Sequence, residues 1–341
     1  LDLCLRLGYK LRPVAGSMIV SRGLVNIGNT CYLNAVLFSL ASMPLVRGWL
    51  SEHAELAKLE RNHGVNCILC LLCKDVVRLL EPGDGGAFIP SIVLQRALLS
   101  DRFAGHQHQD AEEAFTKLIE ACNNVDESRL EKRDMVAEYT TPAWKIFGQK
   151  SRTKTRCLAC DKCSESSGEF LNRIKVSIAG RSCDDLKSLL EEDCAEQALM
   201  GRCGGITWES DGSGCGVMDM KRLSTKFLSW PKVLVVTLKR FKPVDVDGAV
   251  VYEKLDTYIK YESCLQIRDS PDYTLRAIIL HVGTLSQGHY TAIVRGDDGS
   301  WRMCDDQRIK VVNVSSVFPS RRNGDIYKQA YLLFYEAREE T

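Results

Sequence analysis

Residues 23–34 read Gly23-Leu24-Val25-Asn26-Ile27-Gly28-Asn29-Thr30-Cys31-Tyr32-Leu33-Asn34. A glycine-containing loop runs straight into an apolar segment, with a cysteine at the junction. Leu33, Val36, Leu37 and Leu40 recur at helical spacing, which predicts a helix over 31–42. Asn29 and Thr30 offer N-cap side chains before it, and Pro44 lies past its end. A cysteine at a helix start meets the positive end of the dipole and unpaired N–H groups, which favour thiolate over thiol. The same N–H groups can face an oxyanion, and Asn26, five residues upstream, could add an amide donor. Taken alone, Cys31 reads equally well as a small buried apolar residue. A base elsewhere in the chain has to decide.

The chain has six histidines. His53 and His63 fall in or beside a charged helical pattern and are expected on the surface. His106 and His108 sit in a polar loop, and His281 lies in an apolar strand pattern as a satisfied core histidine. His289 differs: it follows a Ser286-Gln287-Gly288 loop and enters the strand Tyr290–Val294. A loop-to-strand junction over a rigid sheet suits a catalytic base. The turn Gly296-Asp297-Asp298-Gly299 predicts a hairpin that returns Asp305 to the side of His289. There a carboxylate can fix the imidazole tautomer. Asp306, next along the strand, is expected on the other face. A solvated acidic turn is the competing reading of the pair.

Helical patterns at 31–42, 53–61, 66–80, from Pro90-Ser91 and over 110–122 fill the first third of the chain. Segments 170–178, 233–237, 274–281, 289–294 and 330–335 are rich in β-formers. Helices followed by strands indicate an α+β fold rather than alternating α/β. The 341 residues carry 45 basic and 44 acidic side chains, a formal net charge of +1. That balance gives no sign of a nucleic-acid surface. No run of 18 apolar residues appears, so no membrane span is expected. Fifteen cysteines, an odd number, and no visible signal peptide indicate a reducing, intracellular compartment. A start at Leu1 rather than Met suggests that more chain precedes it.

These residues resemble the ubiquitin-specific protease family of cysteine deubiquitinases. Residues 23–34 look like its cysteine box, and Gly288–Ala292 with Trp301–Asp306 look like its histidine box. Leu238–Phe241 and Tyr331–Tyr335 are similar to its palm strands. The resemblance covers nearly the whole chain. It implies a papain-like core with thumb, palm and fingers: a single catalytic domain over 1–341, with a helical thumb over 1–138, a fingers insertion with part of the palm over 139–229, and a β-rich palm over 230–341. It makes Cys31 the nucleophile, His289 the base, Asp305 the third member, Asn26 the oxyanion donor and Asp306 an assisting acid. His108–Ala114 resembles the box that holds the ubiquitin tail, with His108 and Ala114 as departures. Asp110 and Glu113 would share a helix face and pair with the tail's arginines, and Tyr290 would wall a channel for Gly-Gly. The implied partners are ubiquitin and ubiquitinated proteins, met by a monomer. The resemblance also implies that some members must rearrange on binding before nucleophile and base align. Rival readings are a protease for another ubiquitin-like modifier, a non-catalytic ubiquitin-binding scaffold, or a zinc-dependent interaction platform.

No cofactor is expected for the chemistry. Cys157-Leu158-Ala159-Cys160 has zinc-knuckle spacing. The family's second Cys-x-x-Cys is missing, so the candidates to complete a structural zinc site are Cys203 and Cys215, with Cys163 or loss of the metal as alternatives. Cys67, Cys70 and Cys73 fall on one face of an apolar helix and read as core packing, because one helix cannot close a tetrahedral site with them.

Overall fold

The computed structural model describes residues 18–338 apart from 60–66, 84–85, 106, 132–140, 168–170, 181–184, 195–196, 203–214, 216, 248, 286 and 321–324. The helical part comprises α1 (Cys31–Ala41), α2 (Pro44–Leu59), α3 (Ile68–Leu80), α4 (Ser91–Leu94), α5 (Ala111–Glu131) and α6 (Pro142–Phe147). Every residue of α1 is buried, between the other helices on one side and the main sheet on the other. Pro44 lies past the end of α1 as expected, and it also opens α2, where its fixed φ suits the first helical position. The helix expected over 53–61 therefore starts nine residues earlier, and α5 runs on to Glu131.

That extension overturns the surface reading of His53. One face of α2 packs on α3, and His53 is fully buried against Cys67 and Cys70 on that side and Arg129 of α5 on the other. His63 and His106 lie outside the described residues.

Beyond α6, a four-stranded antiparallel sheet has the order β2-β1-β5-β4, from β1 (Lys150–Cys157), β2 (Cys163–Ser167), β4 (Gln197–Arg202) and β5 (Met218–Ser229). The main sheet runs β13-β12-β11-β10-β14-β6-β3, with β9 beside β10. Its strands are β3 (Ile174–Ser177), β6 (Val233–Lys239), β9 (Cys264–Leu265), β10 (Tyr273–Gly283), β11 (Gly288–Arg295), β12 (Trp301–Asp305), β13 (Arg308–Val312) and β14 (Ala330–Ala337). All neighbours are antiparallel except β3 with β6. A separate hairpin pairs β7 (Phe241–Val246) with β8 (Ala249–Lys254).

The period-2 alternation of β10 divides the core. Ala277 and Ile279 pack into the layer shared with α1, while Ile278 and Leu280 face a second layer with Leu189, Tyr261 and Tyr335. Covered on both faces, the central strands make a rigid floor beneath the head of α1. Among the described residues no single helix is long and apolar enough to cross a membrane.

Candidate active site

The loop before α1 and the end of β12 are built onto each other. The Leu24 amide donates to the Asp306 carbonyl at 2.8 Å. A methyl group at Gly23 would lie 2.3 Å from the Gln307 carbonyl oxygen, so only glycine permits this approach. The Thr30 side chain does not cap α1, contrary to expectation. Its hydroxyl instead accepts from the Ile27 amide and donates to Asn26 Oδ1. The cap position is spent on the shape of the loop rather than on the first helical N–H groups.

Cys31, the first residue of α1, is 1% exposed. The β11–β12 hairpin forms as read, with Ala292 opposite Cys304, and His289 Nε2 lies 2.7 Å from Asp305 Oδ1. Its interaction with Cys31 first, helped by Asp305 and opposed by partial burial, holds the His289 imidazole pKa up to about 9.

Asp306 departs from its expected place on the opposite face. The strand ends at Asp305, and Asp306 takes a left-handed φ of 48° that turns its side chain back to the site. Its Oδ2 accepts from Asn26 Nδ2 and its Oδ1 from Asn34 Nδ2, both at 2.8 Å. Asn26 Oδ1 accepts from the Gly28 and Thr30 amides, which fixes the orientation of its own amide group. Asn34 was missed as a site residue. The available signal was its place three residues after Cys31 on the same helix face.

Asp110 and Glu113 do not share a helix face. Asp110 precedes α5 and caps it, its Oδ1 accepting from the Glu112 and Glu113 amides. Its Oδ2 accepts from the Tyr331 hydroxyl at 2.6 Å and the Tyr290 hydroxyl at 3.4 Å. Burial pushes both tyrosines well above the usual phenol range, so they remain donors. Glu113 faces the exposed Arg102. His281 is buried as expected but not satisfied: among the described residues neither ring nitrogen has a partner of good geometry, and burial first of all lowers its pKa to about 4.

At the tip of the β1–β2 hairpin, Cys157, Cys160 and Cys215 form a group that could hold a metal ion, with the Cys157 and Cys215 sulfurs 3.9 Å apart. Cys203 lies outside the described residues, and Cys163 is not in the group.

The family model for ubiquitin carboxyl-terminal hydrolase matches residues 22–335. The chain belongs to the ubiquitin carboxyl-terminal hydrolase family. It is 28% identical to human ubiquitin carboxyl-terminal hydrolase 17-like protein 15, over 96% of this chain and 55% of that protein. It is 28% identical to ubiquitin carboxyl-terminal hydrolase 36 of Drosophila melanogaster, over 93% of this chain and 30% of that one. The chain thus spans about half of the first of these relatives and under a third of the second. Among solved structures it is similar to the SAGA DUB module of Ubp8, Sgf11, Sus1 and Sgf73 bound to monoubiquitin. That match has a TM-score of 0.71 and 20% identity over 100% of this chain and 73% of that one. The same module bound to ubiquitin aldehyde gives a TM-score of 0.69 at 21% identity, over 96% and 72%. The fold is therefore the papain-like α+β fold of this hydrolase family.

Proposed function

We propose that this chain is the catalytic domain of a cysteine-type deubiquitinase, hydrolysing the peptide or isopeptide bond after the C-terminal glycine of ubiquitin. The observation that carries the reading is the line from Cys31, at the head of a buried helix, through His289 to Asp305. His289 Nε2–H donates to Asp305, which leaves Nδ1 toward the thiol. The proton moves from Cys31 to His289, and the thiolate attacks the carbonyl carbon. The backbone N–H of Cys31 and the amide of Asn26 stabilise the oxyanion, with Asp306 holding Asn26 in place. The imidazolium protonates the leaving lysine amine. Water, activated by the same imidazole, then releases ubiquitin from the thioester. The reaction requires no cofactor.

Tyr290 walls the channel for the Gly-Gly tail, Asp110 fixes the tyrosine pair, and Glu113 meets a basic residue of the tail. Cys157, Cys160 and Cys215 would hold a structural zinc, with Cys203, outside the described residues, as the fourth ligand read from the sequence. A sulfur tetrahedron around zinc has edges of about 3.8 Å, and the Cys157–Cys215 separation of 3.9 Å fits it. Its work is to staple the fingers sheet, away from the chemistry. The helical thumb over 1–138, the fingers over 139–229 and the palm over 230–341 act as one monomeric, intracellular domain.

The test is release of a fluorogenic amine from the ubiquitin C-terminus, compared with the same amine on other ubiquitin-like modifiers. Turnover of the ubiquitin substrate that disappears in Cys31→Ala and His289→Ala is expected. Turnover confined to another modifier would replace ubiquitin as the substrate.

A further inference from the structure

A second cysteine–histidine cluster lies in the helical part, remote in sequence from the fingers. Cys67 precedes α3 and Cys70 stands in its first turn. His53 comes from the facing side of α2. A single helix offers no closed set, as the sequence suggested, but the α2–α3 contact adds the missing direction. His53 Nε2 lies 3.4 Å from the Cys67 sulfur and 3.4 Å from the Cys70 sulfur, and all three donor atoms lie within 4.8 Å of one another. A tetrahedral zinc with bonds of about 2.3 Å to sulfur and 2.0–2.1 Å to nitrogen sets N–S edges of about 3.6 Å.

A second observation points the same way. Asp126 of α5 is fully buried, and its Oδ1 has no hydrogen-bond partner among the described residues, while its Oδ2 accepts from Trp49 Nε1. That orphan oxygen is 4.0 Å from His53 Nδ1. A histidine that ligates through Nε2 carries its proton on Nδ1 and donates it to a carboxylate, which is the place Asp126 occupies. In the structure Arg129 Nη1 lies 2.7 Å from the same Nδ1. With a metal bound, the histidine proton shifts from Nε2 to Nδ1 and Arg129 turns to the Asp126 carboxylate.

We infer that His53, Cys67 and Cys70 form a zinc site in the helical lobe, with Asp126 orienting the histidine. Binding displaces both thiol protons to solvent, so two thiolates neutralise the dication, while Arg129 balances Asp126. The ion ties α2 to the start of α3 behind α5.

The test uses the whole chain with Cys157→Ser and Cys160→Ser, which disables the fingers cluster. After desalting without chelator, zinc per chain is measured, and cobalt(II) is titrated while thiolate-to-metal absorption is followed. About one equivalent and a thiolate band are expected, both abolished by adding Cys67→Ser and Cys70→Ser. Asp126→Asn should weaken cobalt binding roughly ten- to a hundredfold while keeping the band. Should the fingers variant not fold, wild type is compared with Cys67→Ser/Cys70→Ser, and a loss of one equivalent is expected. A fingers variant without zinc or cobalt–thiolate absorption, or equal zinc in wild type and Cys67→Ser/Cys70→Ser, overturns the site.

Discussion

Asn26 and Asp306, 280 residues apart in the chain, are joined by a 2.8 Å hydrogen bond beside Cys31. The bond makes the nucleophile loop and the end of β12 one unit. Asn26 carries two amide hydrogens, and Asp306 accepts one, leaving the second for an oxyanion. Loss of one oxyanion donor costs about 10²–10³ in kcat. Asn26→Ala is therefore expected to lower kcat by that order with little change in KM. Asp306→Ala acts through Asn26 and Asn34, so a smaller loss of roughly ten- to a hundredfold is expected, the worth of a hydrogen bond to a charged group. The double variant should fall little below Asn26→Ala alone. Full additivity in steady-state kinetics would separate the two residues.

His289 gives a pH signature. Its interaction with Cys31, with help from Asp305, raises its pKa from 6.5 to about 9. A raised imidazole pKa means that the imidazolium's stabilisation is complete below about 6.5 and is lost as pH rises through about 9. The basic limb of kcat/KM should accordingly have its midpoint near 9. Asp305→Ala should move that midpoint down. A limb that stays put in Asp305→Ala would remove the carboxylate from the account.

Gly23 tests the contact between loop and turn. Gly23→Ala places a methyl group against the Gln307 backbone, and backbone cannot yield as a flexible side chain does. A loss of about 1–3 kcal/mol in stability is expected. It should be accompanied by a fall in kcat, because the Leu24–Asp306 bond that positions Asn26 is disturbed. Urea unfolding and turnover on the same preparation check both parts.

Arg240 is a structural counterpart. It is fully buried between β6 and β7, and its guanidinium donates to the carbonyls of Ala330, Leu255, Thr257 and Tyr327. Burial lowers its pKa to about 10, still charged at neutral pH. Arg240→Ala leaves buried carbonyls unsatisfied, and a loss of about 3–5 kcal/mol is expected from urea midpoints. Arg240→Lys should rescue little, because a point charge cannot serve a planar fork of acceptors.

What could be read from the sequence was local. The start of α1 at Cys31 and the β11–β12 hairpin follow from periodicity and from one four-residue turn, so Cys31, His289 and Asp305 were all within reach. Asp306 was misplaced because strand alternation was carried one residue too far, past a left-handed backbone that has no Gly or Asn to announce it. His53 was misread because its helix looks charged and exposed when only its second half is considered, whereas its partners Cys67, Asp126 and Arg129 come from two other helices. Asp110 looked like a free acid on a helix face until the cap and the two tyrosines on β11 and β14 were assembled around it. In each case the deciding neighbour is distant in sequence.

The most direct test of the central claim is intact-mass measurement after exposure to ubiquitin carrying a C-terminal electrophile. The account predicts one covalent ubiquitin on the wild-type chain and none on Cys31→Ala, with the modified peptide containing Cys31. A folded wild-type chain that forms no adduct, or an adduct that persists in Cys31→Ala, would contradict it.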